Sequence, residues 1–192
     1  MKLIVGLGNP GAEYNQTRHN VGANALDTYV SGHGGVLQQK SKYKSLMTEL
    51  TIDGQKVITI IPTTYYNSSG EAVQAVASFY KIEPSDILIV HDELSLPFGT
   101  VRIRYGGSDA GNNGVKSVTS HIGPDTARIR VGVYNELRDR IADADFVLSR
   151  FTAQENDAFR EIMPIIHTTI DSFVAGTLSH TTSTIEKPSS SS

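Results

Sequence analysis

One histidine, one aspartate and three asparagines each follow a short apolar run that reads as a β-strand. Asn9 and His19 come after KLIVGL, Asn67 after KVITII, Asp92 after ILIV, and Asn113 after TVRIRY. In open α/β sheets, ligands gather beyond the C-terminal ends of the strands, so this spacing can bring the side chains to one cleft. Together they suit water-driven acyl hydrolysis without a covalent intermediate. An imidazole can accept a proton from water near neutral pH, while an aspartate on its other nitrogen fixes the tautomer and steadies the imidazolium. Amides can donate to a developing oxyanion or hold a peptide backbone.

Other chemistries lack their supporting context. Residues 6–11, GLGNPG, fit the GxGxxG template of a dinucleotide turn, but 17 glycines in 192 residues make chance matches easy. Such a turn also needs a helix launched at the third glycine and an acid ending a second strand. Gly11 is instead followed by AEYNQT, with no apolar period before Val21, and Asp27 falls inside an expected helix. No nucleotide cofactor is therefore expected. His91, Asp92 and Glu93 do not make a metal site, because neighbouring strand residues point to opposite faces and no further histidine has ligand spacing. A serine triad would need a strained GxSxG elbow, which is absent. His33, His121, His167 and His180 are read as surface or structural residues.

The elements that must position these groups alternate along the chain. Strands are predicted at 2–7, 46–52, 56–61, 87–90, 100–105 and 128–133, with helices over 17–30, 70–80 and 115–122. Asp53-Gly54 predicts a tight hairpin turn between the second and third strands. Thr152 and Glu155 form the pattern of a capping box that starts a long C-terminal helix, and Pro164 is expected to kink it. The order predicts a single α/β domain over residues 1–185, a twisted mixed sheet flanked by helices. Residues 186–192 are rich in serine and without apolar side chains after Ile185, and are expected to fray.

Composition limits the setting. No apolar run approaches 18 residues and no secretory signal opens the chain, so a soluble protein beginning at Met1 is expected. The lack of cysteine removes thiol chemistry and fits a cytoplasmic location. A net charge of −3 argues against a generally basic nucleic-acid binder, yet Arg102, Arg104, Lys116, Arg128 and Arg130 cluster in one stretch. Two arginines at spacing two share a strand face, and Arg102 and Arg104 can clamp a phosphate. Arg138, Arg140 and Arg150 are read as a solvated face.

The strings GLGNPG, TRHNVG, PTTYYNSSG, HDELSLP and GNNG, in this order and spacing, resemble bacterial peptidyl-tRNA hydrolases from Met1 to about Ala153. The resemblance implies hydrolysis of the ester between a peptide and the terminal ribose of tRNA, by a monomer without metal or organic cofactor. It implies His19 as general base and Asp92 as its orienting acid. It further implies Asn9, Tyr14, Tyr66, Asn67 and Asn113 as substrate-binding residues, with Arg102, Arg104, Lys116 and Arg130 toward the tRNA. The chain departs from the family at Tyr66, usually methionine, at Asn112, usually histidine, and in YNELRD, residues 134–139. The tyrosine is expected to reshape the pocket wall without touching the chemistry.

Overall fold

The first apolar run owes its central place to being hydrophobic on both sides. In the computed structural model, which describes residues 1–179 and 184–185, it forms β1 (Lys2–Gly6). This strand lies parallel between β4 (Gln55–Pro62) and β5 (Ile87–Pro97). Leu3 and Val5 face one apolar layer and Ile4 the other, as expected of a strand covered on both faces. Outside β4 lie β3 (Ser45–Ile52) and β2 (Gln38–Lys40), and outside β5 lie β7 (Ala127–Tyr134), β6 (Val101–Tyr105) and the two-residue β8 (Thr184–Ile185). The sheet order is β2-β3-β4-β1-β5-β7-β6-β8.

Helices cover both faces of this single α/β domain. The face carrying Ile4, Leu88 and Val90 is closed by α1 (Val21–Gly32), α4 (Asp143–Leu148) and α5 (Ala153–Val174), through Leu26, Phe146 and Ile166. The face carrying Leu3, Val5 and Ile89 is closed by α2 (Ser69–Tyr80) and α3 (Asn113–Ile122), through Val73, Val76 and Val118. The hairpin at Asp53-Gly54 is present, with Ile52 paired to Gln55.

Three expectations change. The strand predicted to end at Val90 continues to Pro97, because Asp92 and Glu93 keep parallel pairing with Val131 and Gly132 of β7. Asp92 is therefore a strand residue, not one that follows a strand. The first helix begins at Val21 rather than Thr17, and Arg18–Asn20 form a separate 3-10 turn. The six-residue α4 gave no sequence signal because it is too short to repeat an apolar period. The expected C-terminal helix runs through Pro164, and both halves of its capping box form. The expected frayed tail at 186–192 and His180 lie outside the described residues.

One buried ion pair ties the ends of this layout together. Arg18, 1% exposed, donates to both carboxylate oxygens of Glu155 at 2.9 and 2.8 Å and lies 4.7 Å from the Phe146 ring. Glu155 also accepts from the Asn135 side chain and the Thr152 N–H. Burial alone would raise the Glu155 pKa, but the Arg18 hydrogen bonds, the Thr152 N–H and the Arg18 charge outweigh it and hold the carboxyl below its usual 4.5. The unfolded chain therefore takes up this proton first, so the stabilisation is complete above pH 4.5 and is lost as pH falls through the lowered folded value. Glu155→Gln should cost about 3 kcal/mol at pH 7 by leaving Arg18 without its counterion. Denaturant melts at several pH values should show that difference narrowing in acid; a constant gap would contradict the assignment.

Candidate functional site

The first glycine of GLGNPG and the last residue of TRHNVG solve a packing problem. A Cβ on Gly22, at the start of α1, would stand 2.1 Å from the Val90 carbonyl oxygen, and one on Gly6 would stand 2.6 Å from the Gly22 carbonyl oxygen. Both contacts are with backbone, so α1 can approach β1 and β5 this closely only where side chains are missing. Leu7 locks the arrangement, donating its N–H to Val90 at 3.0 Å and accepting from the Ala23 N–H at 2.9 Å. The Arg18–Asn20 turn is thereby set over the C-terminal part of β5. Its histidine meets the strand's aspartate.

His19 Nδ1 lies 2.9 Å from Asp92 Oδ2, and the carboxylate is only 2% exposed. A carboxylate acceptor there fixes the proton on Nδ1 and leaves Nε2 as the basic nitrogen. Burial pulls the Asp92 pKa upward, but the His19 charge and the hydrogen bonds from His19 and Tyr66 outweigh it, so the carboxyl sits below its usual range. It is held as the anion.

Tyr66 overturns an expectation. Its hydroxyl donates to Asp92 Oδ1 at 2.5 Å, and its ring stacks on His19 with centroids 3.4 Å apart and planes 19° apart. The residue touches both members of the pair and does more than shape a wall. Its ring occupies the space where a Cβ on Gly114 would sit, 2.4 Å from Tyr66 Cε1, which accounts for the glycine after Asn113. Asn112 completes the group, donating from Nδ2 to the Tyr66 hydroxyl at 3.1 Å and to Asp92 Oδ1 at 3.2 Å, while its Oδ1 caps α3 by accepting from the Val115 N–H.

The cleft above this pair has a volume of about 310 Å³, and Asn9, Asn67 and Asn113 line it with His19, Tyr66 and Asp92. Asn9 Oδ1 accepts the Tyr66 N–H at 2.9 Å, which leaves its Nδ2 as the donor for a ligand. Asn20, a residue that sequence reasoning missed, grips the Asn9 backbone at both its N–H and its carbonyl. The RHN string at 18–20 was the available signal. Leu94, Val147 and Leu148 add an apolar wall, two of them from the unpredicted α4. Tyr14 is not among the residues lining the cleft: it sits in a 3-10 turn at Ala12–Tyr14, where its carbonyl accepts the Thr17 hydroxyl.

The basic residues divide. Arg102 pairs across the sheet with Arg130, and Arg104 with Arg128, so all four stand on one face. Arg104 is exposed, as is Lys116 on α3, and Arg102 is half-buried. Arg130, expected toward the tRNA, is 11% exposed and bonded to Glu93 at 2.9 Å by both Nε and Nη2. Arg128 is buried and donates to the Ser108 carbonyl. Arg138, read as solvated, instead bridges Asp143 at 2.8 Å and donates to the Leu94 carbonyl at the cleft edge. His33, His121 and His167 each contact a backbone carbonyl of a helix.

His91 is buried on the face opposite Asp92, and burial depresses its pKa. Among the described residues, no group of three or more histidine and acid side chains could hold a metal ion. No described helix is long and apolar enough to cross a membrane.

Comparison with known proteins gives consistent matches. The family model described as peptidyl-tRNA hydrolase matches residues 3–192. A peptidyl-tRNA hydrolase of Ligilactobacillus salivarius is 44% identical over 156 residues, covering 81% of this chain and 83% of the relative. One from Pelodictyon phaeoclathratiforme is 40% identical over 98% of this chain and 99% of its own. A crystal structure of peptidyl-tRNA hydrolase from Acinetobacter baumannii superposes with a TM-score of 0.86 at 34% identity, covering 93% of this chain and 90% of that one.

The two kinds of arginine should separate in stability alone. Arg130→Ala strands the buried Glu93 carboxylate and should cost about 3 kcal/mol, whereas Arg104→Ala, at an exposed position, should stay within about 0.5 kcal/mol. Equal thermal melting shifts for the two variants would remove the distinction.

Proposed function

The chain belongs to the peptidyl-tRNA hydrolase family, and from that premise we propose that it cleaves the ester between a peptide's C-terminus and the terminal ribose of tRNA, with His19 as general base. The observation that carries this reading is the 2.9 Å contact between His19 Nδ1 and a buried Asp92 at the floor of a cleft lined by three asparagine amides.

His19 Nε2 takes a proton from water as the oxygen attacks the ester carbonyl carbon. Asp92 steadies the imidazolium, and the amides of Asn9, Asn67 and Asn113 donate to the oxyanion or hold the peptide backbone. Collapse breaks the carbon–oxygen bond to ribose, and the imidazolium returns its proton to the departing ribose oxygen. The products are free peptide and tRNA with its terminal hydroxyl restored. General-base action contributes about 10²–10⁴ in rate, and one oxyanion donor about 3 kcal/mol. Every proton in this scheme is moved by His19, so it calls for no metal or organic cofactor.

Arg102, Arg104 and Lys116 are our candidates for contacts to tRNA phosphates, supported by their shared position on the β6–α3 side of the sheet. Arg130 drops out because Glu93 already neutralises it. So few phosphate contacts give a shallow salt dependence, with log K falling roughly 0.7–0.9 per contact for each decade of salt. We place the reaction in the cytoplasm, carried out by a monomer.

The test is ester release from an N-acetylated aminoacyl-tRNA beside its unblocked counterpart. The blocked substrate alone should turn over. His19→Ala should abolish turnover while tRNA binding stays nearly intact, and Arg104→Ala should raise KM for the full substrate more than for a short ester fragment. Normal turnover in His19→Ala would sink the general-base role, and equal KM changes on both substrates would remove the phosphate contact at Arg104.

A further inference from the structure

The two places in the cleft where this chain departs from the family resemblance, Tyr66 and Asn112, are bonded to each other and to the same carboxylate oxygen. Asp92 has two oxygens, and they serve different partners: Oδ2 meets His19, while Oδ1 accepts from Tyr66 and Asn112. Resting on the hydrolase reading above, we propose that Tyr66, held by Asn112, is a positioning residue that fixes the ring plane of His19 and lowers its proton affinity by sharing the Asp92 carboxylate with it.

Two effects follow from that geometry. A hydroxyl donating at 2.5 Å draws negative charge toward Oδ1, so less is left at Oδ2 to stabilise an imidazolium. The free base, which is the form that takes the proton from water, is favoured accordingly. The stacked tyrosine ring also bars the imidazole from tilting away from the Asp92 bond. Tyr66 stays a donor across the working range, since burial and then the Asp92 charge push its own pKa well above 10.0.

The other charged groups around His19 are paired or exposed to solvent. On β5, Glu93 is paired with Arg130; on α4, Asp143 is paired with Arg138, and Asp145 is exposed. Arg18, the preceding residue, is neutralised by Glu155, and exposed Arg150 lies across a backbone bridge from Thr17. The first turn of α1 carries no acid. Removing the Tyr66 hydroxyl leaves all of these in place.

Tyr66→Phe isolates the effect because it keeps the stacked ring and removes only the hydroxyl. The His19 titration midpoint, followed by NMR of its ring signals, should rise. The acid limb of kcat/KM on N-acetylated aminoacyl-tRNA should move up with it. Asn112→Ser, which retains a side chain able to cap α3, should shift the midpoint the same way by less, and serves if the phenylalanine variant does not fold. A role limited to packing would lower kcat without moving either midpoint. An unchanged or lowered His19 midpoint in the folded variant would therefore overturn the proposal. Lack of hydrolysis by the wild type would instead overturn the reading of the reaction, and the NMR titration separates the two failures.

Discussion

A buried carboxylate loses several kcal/mol of hydration unless its oxygens are met by donors, and Asp92, 2% exposed, is the group whose demand the site is built around. It sits on β5 beyond the end of the β1 pairing at Val90, with β7 still occupying one backbone edge and the cleft above it. Its donors must therefore come from segments distant in sequence. His19, Tyr66 and Asn112 supply them from three different connections. Losing one would leave the other two holding a charge that is undercompensated, so the chemistry of the cleft and the stability of the strand end are coupled.

That arrangement tolerates little positional error, and the scaffold removes it in two steps. The Gly6–Gly22 contact brings the first turn of α1 against the sheet, which sets the height of the His19 turn over β5. The Arg18–Glu155 pair then fixes that turn from the other side, joining it to the capping box of α5 and to Asn135 after β7. Adjacent residues thus divide the work. Arg18 faces inward to a structural counterion, and His19 faces the cleft.

Much of this was legible in the sequence because strand-following polar residues and apolar alternation are local signals. The central strands, the helices α1, α2, α3 and α5, the Asp53-Gly54 hairpin and the residues lining the cleft fall near their expected places. What escaped depends on distant partners. Nothing local says that HDE continues a strand, since it does so only because β7 supplies a parallel neighbour. The bond from Tyr66 to Asp92 joins residues 26 apart, and Arg130 looks like a phosphate ligand until Glu93 is found beside it. Short α4 escaped because six residues cannot repeat an apolar period, and Asn20, present in the RHN string, was passed over because its importance lies in the Asn9 backbone it grips.

The arginine ladder bears on how an acidic protein would meet a polyanion under the proposed function. Arg102 faces Arg130 and Arg104 faces Arg128 across β6 and β7, and like charges directly opposite are unfavourable in a sheet. Burial, and after it the Arg104 charge, lowers the Arg128 pKa. The protein offsets the inner half of the ladder with Glu93 on Arg130 and the Ser108 carbonyl on Arg128. Arg104 is the exposed member of the outer half. A phosphate bound there would relieve the remaining repulsion as well as form its own hydrogen bonds, so the fold would meet the ligand with part of its unfavourable electrostatics still to be cancelled. Net charge of −3 is then no obstacle, because the field that matters is set by this one face over about a Debye length and not by the whole molecule.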